Sequence, residues 1–386
     1  MKILYCLNSA TPGGMEKHVL DLVHGMIGRG HEVFVWCPKG TVSDWFKGAG
    51  AEIIYAQVGF ELDPVYIYKL AKFLSTRKID VVHAHELKAA ANALVAGILA
   101  GTSVRISHVH TPISEWRIPN WIKDLFTRLT IFGYSSEVNF LATREIALTE
   151  SRKRVKMAEG IKESTLEIIP NGVDIGAFAT SESEKANFKR EMLTKYNIPT
   201  DAFIMGNVSR MTEEKGHEVL IQAFAEFLKL KSVEADQVHL LLVGGGKLES
   251  IYRQLIEELG LQGKVTITGI FPLEDIKKCY ACLDIFIFPS LAEGFGIVLI
   301  EAMASGLPAI CSDLEVLQEV GGATVRYFET GNPKDLAEKM HNLYLKRDNL
   351  AELGDSAQSR VEDLYSMEKF VQSYQDLYLR LLEGTG

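Results

Sequence analysis

The alternation of short apolar runs with helical patterns constrains the fold of this chain more than any other feature. Ile3 to Leu7 is a short apolar run, and the small and polar stretch Asn8 to Gly14 follows it. Apolar residues then recur at three- and four-residue spacing from Val19 to Ile27, which predicts a helix, and Glu32 to Trp36 is typical of a second strand. A strand, a glycine-rich turn, a helix and a strand form one unit of a parallel doubly wound sheet.

The same alternation continues along the chain in two series. The first series adds predicted strands at residues 80–83, 104–109 and 166–169. The second has predicted strands at residues 203–208, 239–243, 265–268, 285–288 and 309–312. Two successive series predict an α/β protein with two Rossmann-like domains. We place their boundary in the turn-rich stretch Pro170 to Asp174, so the domains are residues 1–172 and 173–366.

Composition narrows the class of protein. The 386 residues allow two or three domains, and 47% hydrophobic with 24% charged residues excludes global disorder. Five cysteines are too few for a disulfide framework in a chain of this length. The longest apolar run, residues 92–104, is too short to span a bilayer, and the N-terminus lacks a signal-peptide pattern. We therefore expect a cytoplasmic enzyme.

Charge is unevenly distributed between the two halves. Residues 1–170 contain 20 Lys and Arg against 17 Asp and Glu, a net charge of +3. The remaining residues carry a net charge of −12, so the net charge of the whole chain is −9. The negative net charge of the whole chain argues against a nucleic-acid-binding protein. The split is either chance variation between two solvated surfaces or a sign that the N-terminal half meets an anionic partner.

Two loops, one with glycines and one with cations, predict a site for a phosphorylated ligand. Gly13 and Gly14 lie between a strand and a helix, where backbone N–H groups can approach an anion, although such glycines are also common for steric reasons. Arg210 and Lys215 lie five residues apart on a loop directly after a strand and could converge on one diphosphate. A solvated loop neutralised by its own two glutamates is the alternative.

A third loop carries one glutamate, and the helical stretch after it carries another. Glu293, Gly294, Phe295 and Gly296 precede an apolar helical stretch that begins at Ile297 and contains Glu301. A helix that is apolar on every face must be buried, so the carboxylate in its middle needs partners. Sugar hydroxyls would serve, and so would a hydrogen bond within the core.

Three further motifs allow competing interpretations. Two predicted strands end in histidines, namely His83, His85, His108 and His110, so a four-histidine metal site is conceivable. Neighbouring strands that end in a ligand-binding cleft would also bring histidines together, and we expect no metal. Cys279 and Cys282 have metal or redox spacing but no second pair, so we interpret them as core residues. The three glycines 244–246 lack the dinucleotide pattern and are interpreted as a sharp turn.

The stretch 116–132 places apolar residues on one helical stripe. These residues are Trp121, Ile122, Leu125, Phe126 and Leu129. A core-facing helix is the simpler interpretation. The alternative is an interfacial helix on a membrane, which would suit a lipid-linked acceptor and a basic N-terminal half.

Taken together, these motifs resemble the retaining family 4 glycosyltransferases of GT-B fold. The resemblance covers nearly the whole chain and includes the glycine turn with Glu16, His110 after a strand, Asn171 to Asp174, Arg210 with Lys215, and the glutamate pair. It implies two Rossmann-like doubly wound domains that face each other across a cleft. It also implies that the last helix, about residues 367–386, packs back on the N-terminal domain. Ser209 is a departure, because glycine is more usual there.

The resemblance also implies a role for each matching residue. Arg210 and Lys215 would bind the donor diphosphate, Glu301 the ribose and Glu293 the donor sugar, while His110 would face the reacting sugar. Further donor contacts are implied for Gly13, Gly14, Asn171, Gly269, Ile270, Gly294, Phe295, Gly296 and Ile297.

The expected activity is retaining transfer of a sugar from a nucleoside-diphosphate sugar to a saccharide or lipid-linked acceptor. UDP-sugar is preferred over GDP-sugar only because it is commoner in the family. No cofactor or metal is expected, and no nucleic-acid partner. The alternatives are a GT-B nucleotide-sugar epimerase and a nucleotide-sugar-binding protein without turnover.

Overall fold

A computed structural model describes residues 1–115, 123–272 and 275–384. The chain folds as two units. Unit 1 comprises Met1–Gly172 together with the segment from Met367 onward, and unit 2 comprises Val173–Ser366.

Unit 1 is a parallel sheet with helices on both faces. Its strands are β1 (Lys2–Cys6), β2 (Glu32–Cys37), β3 (Glu52–Tyr55), β4 (Val81–His85), β5 (Val104–His108), β6 (Arg144–Ala147) and β7 (Leu166–Ile168). Its helices are α1 (Gly14–Gly28), α2 (Thr41–Gly48), α3 (Pro64–Arg77), α4 (Leu87–Ala100), α5 (Lys123–Leu141), α6 (Glu150–Ala158) and, from the end of the chain, α16 (Met367–Glu383). The strand order among the described residues is β3-β2-β1-β4-β5-β6-β7.

Unit 2 repeats this architecture. Its strands are β8 (Phe203–Val208), β9 (Val238–Val243), β10 (Val265–Ile267), β11 (Ile285–Phe288), β12 (Ala309–Ser312) and β13 (Arg326–Phe328). Its helices are α7 (Ile175–Phe178), α8 (Glu182–Lys195), α9 (His217–Leu228), α10 (Glu249–Glu258), α11 (Ile276–Ala281), α12 (Ile297–Ala304), α13 (Glu315–Gly321), α14 (Pro333–Tyr344) and α15 (Leu350–Leu364). The order of the described strands, all parallel, is β10-β9-β8-β11-β12-β13.

Two strands of unit 2, β9 and β11, are buried on both faces, which explains their largely apolar sequences. β9 and β11 are buried at every position. Parallel sheets covered by helices on both sides require such strands, because no face is left to water. The predicted fold class, α/β with two Rossmann-like sheets, is confirmed by these two sheets.

α16 is part of the core of unit 1. Phe370, Tyr374 and Tyr378 are all nearly or fully buried and pack in the same cluster as the apolar face of α1. A Cβ on Gly25 would lie 2.4 Å from a methyl of Val371, so the glycine permits the close approach of the two helices. The last helix is therefore a structural component of the first unit.

Each sheet has a point at which the strand order reverses. In unit 1 the order reverses at the neighbours β1 and β4, and in unit 2 at β8 and β11. Connections leave these neighbouring strands toward opposite faces, so a crevice opens at the carboxyl ends of the strands. The loops after these four strands are thus the places at which each unit is built to bind a ligand.

Two sequence interpretations concern the core and the bilayer. All five cysteines are free and buried, including Cys279 and Cys282, so their predicted core position is confirmed. Among the described helices, none combines the length and the apolarity that crossing a bilayer requires.

Candidate functional site

In unit 2 the loops after β8 and β11 interlock. The backbone oxygen of Glu214 accepts hydrogen bonds from the Leu291 N–H (2.7 Å) and the Ser290 hydroxyl (2.9 Å). Gly216 has φ +65°, and a Cβ there would lie 2.0 Å from the backbone oxygen of Pro289. Only glycine fits this position, so the cation-bearing loop is held against the glutamate-bearing loop.

Lys215 and Glu293 form an ion pair at this junction. The lysine Nζ contacts Glu293 Oε1, and the two side chains are 17% and 9% exposed. The same carboxylate oxygen accepts a hydrogen bond from the Ser290 hydroxyl at 3.1 Å. Because the ammonium is fixed before any ligand arrives, it can meet an incoming anion without losing side-chain entropy at that moment.

Arg210 lies on the same loop, and its side chain is exposed. The next residue, Met211, donates its backbone N–H to the Gly245 oxygen (2.9 Å), so the loop after β9 supports the arginine loop. Gly244 has φ +133°, and a Cβ there would meet the Ser209 oxygen at 2.0 Å. The glycine run is thus a sharp turn required by close backbone approach, as the sequence predicts.

Gly269 and Ile270 lie beside this glycine turn. The Gly244 N–H donates to the Gly269 oxygen at 3.1 Å. Gly269 has φ +76°, and the Ile270 side chain is 86% exposed. An isoleucine so exposed at the carboxyl edge of a sheet is an apolar surface available to a flat ligand group.

Glu301 lies in the interior of α12, and part of its hydrogen-bonding capacity is used within the protein. The Tyr280 hydroxyl donates to Glu301 Oε2 at 2.7 Å. Burial, and then the nearby Glu301 carboxylate, raises the pKa of Tyr280, so the phenol stays a donor. The structure thus satisfies one oxygen of this carboxylate by a core hydrogen bond.

The start of α12 depends on Gly296. This residue has φ +96°, and a Cβ on it would lie 2.8 Å from a Leu317 methyl. Phe295 is buried with its ring 5.7 Å from that of Tyr365, while Gly294 and Ile297 are half-buried. The loop therefore presents backbone rather than side chains at the helix N-terminus, where N–H groups lack intrahelical partners.

Ser209, the departure from the family pattern, has a local partner. Its hydroxyl donates to Asn207 Oδ1 at 2.6 Å and lies 3.3 Å from His217 Nε2. Burial, with a contribution from the Lys215 charge, lowers the pKa of His217 to about 4. The serine therefore belongs to a neutral polar cluster beneath the loop.

In unit 1 the carboxyl ends of β4 and β5 meet α1 in a group of histidines. His18, His85, His108 and His110 each place a ring nitrogen so that all four lie within 4.8 Å of one another. The four histidines considered from the sequence included His83, whereas the structure places His18 in the group instead. The His83 ring stacks on His85 at 4.3 Å, but its Nδ1 lies 2.7 Å from the Tyr378 hydroxyl.

A buried ion pair holds the loop that carries His108 and His110. The Lys156 ammonium contacts Glu145 and donates to the Val109 backbone oxygen at 2.8 Å. The Val109 N–H lies 3.4 Å from Glu145 Oε1. Because both backbone groups of Val109 have charged partners, the residues on either side have a fixed orientation.

The glycines and the asparagine predicted in unit 1 lie at this same edge. Gly14 begins α1, and a Cβ on Gly13 would lie 2.5 Å from Glu16 Oε2. Asn171 is buried, and its Oδ1 lies 2.7 Å from His18 Nδ1. The amide of Asn171 thus belongs to the surroundings of the histidine group.

Sequence reasoning missed Glu86 as a functional candidate. This non-glycine residue has φ +62°, and its Oε1 is buried without a hydrogen-bond partner among the described residues. Burial, with repulsion from Glu16, raises the pKa of Glu86 to about 7. Strained backbone and a shifted pKa both concentrate at functional sites. The available signal was its place directly after β4, one of the two strands at which the order reverses.

The predicted residues therefore fall into two sets. Unit 2 brings together Arg210, Lys215, Gly269, Ile270, Glu293, Gly294, Phe295, Gly296, Ile297 and Glu301 on neighbouring strand ends and on α12. Unit 1 brings together Gly13, Gly14, His110 and Asn171.

Comparison with known proteins gives consistent results for both units. Residues 12–176 match Glycosyltransferase Family 4, and residues 188–360 match Glycosyl transferases group 1. The phosphatidyl-myo-inositol mannosyltransferase of Mycobacterium tuberculosis is 29% identical over 330 residues, 80% of this chain and 76% of that protein. The N-acetyl-alpha-D-glucosaminyl L-malate synthase of Bacillus anthracis is 25% identical over 321 residues, 81% and 78% of the two chains. The crystal structure of Anabaena HepE in complex with UDP, 22% identical, has a TM-score of 0.84 over 98% of this chain and 99% of that one.

Proposed function

The chain belongs to the family 4 glycosyltransferases and has their two-domain GT-B fold, and from this premise we propose that it is a retaining transferase that uses a nucleoside-diphosphate sugar. The donor would be a UDP-sugar by preference, with a GDP-sugar as the second choice. The acceptor would be a saccharide or a lipid-linked saccharide in glycan biosynthesis. We propose that the reaction takes place in the cytoplasm.

The observation that carries this proposal is the cation site of unit 2. Lys215, held by Glu293, and the exposed Arg210 lie on one loop at the point where the strand order of the sheet reverses. A fixed ammonium and an exposed guanidinium suit a diphosphate, which offers several oxygens to both. Gly216, at φ +65°, fixes the loop that carries both cations.

The proposed chemistry follows from where negative charge develops. When the bond between the sugar and the phosphate breaks, charge builds on the leaving diphosphate. Lys215, Arg210 and the backbone N–H groups at the start of α12 would stabilise that charge. With two protein cations in place, we propose that no metal ion is needed at the diphosphate.

The remaining residues of unit 2 would bind the rest of the donor. The Glu301 carboxylate would accept a hydrogen bond from the ribose in addition to the one that its Oε2 accepts from the Tyr280 hydroxyl. Ile270, with Gly269 beside it, would carry the base on its exposed side chain. Glu293 would orient the sugar ring while it holds Lys215. His110 of unit 1 is proposed to face the reacting sugar, with Gly13, Gly14 and Asn171 as further donor contacts.

The relatives support a nucleoside-diphosphate sugar as the class of donor, but they differ in the base. Anabaena HepE has been crystallised in complex with UDP and with UDP-glucose, and one mycobacterial relative, 24% identical, is a GDP-mannose-dependent mannosyltransferase. The UDP preference therefore remains part of the proposal, and the sugar is left open to the experiment.

The exposed stripe of α5 supports peripheral membrane association. Leu125, Phe126, Leu129 and Phe132 are between 58% and 71% exposed, so the expected core-facing helix is wrong for the described part of this stripe. Trp121 and Ile122, which the prediction also included, lie outside the described residues. An apolar helical face in water is costly, and the acyl boundary of a bilayer would cover it. We propose that the protein rests there on the inner face of the membrane.

The proposal is tested by screening for transfer with purified protein. UDP-, GDP- and ADP-sugars are incubated with a membrane extract as the source of acceptors, and release of the nucleoside diphosphate is measured together with incorporation of labelled sugar. Release of UDP with labelled glycan is the expected result. Conversion of the donor to an epimer would favour the epimerase alternative. Tight nucleotide binding without turnover would favour the binding protein.

A further inference from the structure

We propose that Tyr280 is a positioning residue of the donor site, whose hydroxyl holds the Glu301 carboxylate in the orientation that accepts hydrogen bonds from the ribose. The consequence is selectivity, because a nucleotide that lacks ribose hydroxyls gains nothing from an oriented carboxylate. The inference rests on the proposed function, in which Glu301 binds the ribose, and extends it to a residue that does not itself touch the donor.

The Tyr280 hydroxyl makes two contacts with α12. It donates to Glu301 Oε2 at 2.7 Å and lies 3.4 Å from the backbone oxygen of Val298. Val298 precedes Glu301 by about one helical turn, so both contacts lie on one side of the helix. A short hydrogen bond from a phenol to a carboxylate is a strong one. It holds the Glu301 side chain over the first turn of α12.

Tyr280 is itself fixed in place on α11. Its side chain is fully buried, and its ring lies 5.7 Å from the ring of Phe178 on α7 and 5.8 Å from that of Phe286 on β11. Burial, and then the Glu301 charge, raises the pKa of Tyr280 well above its usual value. Because the ring is enclosed and the phenol keeps its proton, the hydroxyl is a permanent donor to the carboxylate.

The position of Glu301 along α12 suits a ribose. Glu301 lies about 6 Å along the helix axis from Ile297, the first residue of α12. Helical side chains lean toward the N-terminus, and the Tyr280 contact with Val298 places the carboxylate on that side. In a nucleoside diphosphate the ribose is attached directly to the first phosphate. A diphosphate at the N-terminus of α12 would therefore bring the ribose to this carboxylate. Glu301 is half-buried while Tyr280 is fully buried, so the tyrosine acts from behind the carboxylate.

Preorganisation gives this hydrogen bond a measurable effect on affinity. Without the hydroxyl, the Glu301 side chain would sample several rotamers and would lose that freedom when the ribose binds. Immobilising one such side chain weakens binding by about 3- to 10-fold. The loss applies only to ligands that contact Glu301, and this separates positioning from general support of the donor site.

The test compares UDP with 2′,3′-dideoxy-UDP, which lacks both ribose hydroxyls, by isothermal titration calorimetry of the full chain. The parent should bind UDP about 10- to 100-fold more tightly, the value of a hydrogen bond to a charged group. Tyr280→Phe should weaken UDP binding about 3- to 10-fold and leave binding of the dideoxy form unchanged. In a Glu301→Ala background both nucleotides should bind alike, and Tyr280→Phe should then change neither affinity. GDP and its dideoxy form are measured in the same way.

Tyr327→Phe is the matched control. This tyrosine of β13 also donates its hydroxyl within unit 2, to the Gly322 backbone oxygen at 2.8 Å, and its variant should bind both nucleotides like the parent. Thermal unfolding checks that every variant folds.

The outcomes separate the inference from the proposed function. Equal weakening of both nucleotides by Tyr280→Phe would mean that the tyrosine only supports the fold, and it would overturn the inference, as would unchanged binding of both. Equal affinity of the parent for a nucleotide and its dideoxy form would remove the ribose role of Glu301 and the inference with it. A parent chain that binds neither UDP nor GDP would contradict the proposed function itself.

Discussion

Lys215 is the single residue on which the proposed chemistry depends most. Lys215→Ala removes a preorganised cation and leaves Glu293, whose side chain is 9% exposed, without its ion-pair partner. Loss of one such stabilising group typically costs about 100- to 1,000-fold in kcat. We expect that loss in the rate of UDP release, with the helical circular-dichroism signal retained.

A matched lysine of unit 2 provides the control. Lys229, 68% exposed and paired with Glu226 on the surface of α9, should tolerate alanine with unchanged turnover. Arg210→Ala should behave like Lys215→Ala. Parental turnover by either of those two variants would contradict the proposed role of the cation site.

Glu137 on α5 makes the stability of unit 1 depend on pH. Burial raises its pKa from 4.5 to about 7 in the folded chain. The folded state therefore retains the proton while the unfolded state loses it, so stability falls as pH rises from about 4.5 to 7, by up to about 3 kcal/mol. Glu137→Gln should raise the free energy of unfolding at pH 8 and change it little at pH 4.5, as measured by urea denaturation. An equal effect at both pH values would refute this.

At the scale of elements, the contact of α15 with the end of α12 depends on a glycine. A Cβ on Gly354 would lie 2.0 Å from the backbone oxygen of Gly306, and a backbone atom cannot move aside as a side chain can. Gly354→Ala should therefore destabilise unit 2 by about 1–3 kcal/mol. Gly28→Ala is the control, because nothing lies within 4 Å of that Cβ, and it should be neutral or stabilising by up to about 1 kcal/mol. Equal unfolding midpoints for the two variants would exclude the proposed clash.

The exposed stripe of α5 predicts binding to anionic liposomes. Leu129 and Phe132, three residues apart on one face, are 61% and 71% exposed. Replacing both by serine removes apolar area from the face that would enter the bilayer, so co-sedimentation with anionic vesicles should fall at least tenfold. Tyr68→Ser, which changes an exposed aromatic residue on α3, should leave binding intact. Absence of binding by the parent chain at low salt would remove the membrane proposal.

At the scale of the whole molecule, the end of the chain determines whether unit 1 folds. Phe370, Tyr374 and Tyr378 are 4%, 0% and 0% exposed, and loss of a buried aromatic side chain costs about 3–5 kcal/mol. The sum approaches the total stability of about 5–15 kcal/mol of a typical domain. A chain that ends at Ser366 should therefore lose the amide protection of β1 and β5 in hydrogen exchange while β8 and β11 keep theirs. A chain that ends at Glu383 should exchange like the parent, and retained protection of β1 in the shorter chain would contradict the role of α16.

The sequence by itself determined the two sheets, because short, mainly apolar runs alternate with helical patterns along the chain. It also identified the loops of Arg210, Lys215 and Glu293, since a cation or carboxylate next to a strand end is visible as a pattern. The family followed from the order of these motifs, and the comparisons confirm it.

Only the tertiary structure decided which of these side chains meet. His18 lies 67 residues before His85 along the chain, and no local pattern connects them until α1 packs against the sheet. The exposure of the α5 stripe was equally hidden, because helical periodicity shows that apolar residues share a face but not what covers that face. Contacts between residues distant in sequence depend on how whole elements pack, and packing depends on the entire chain rather than on any window of it.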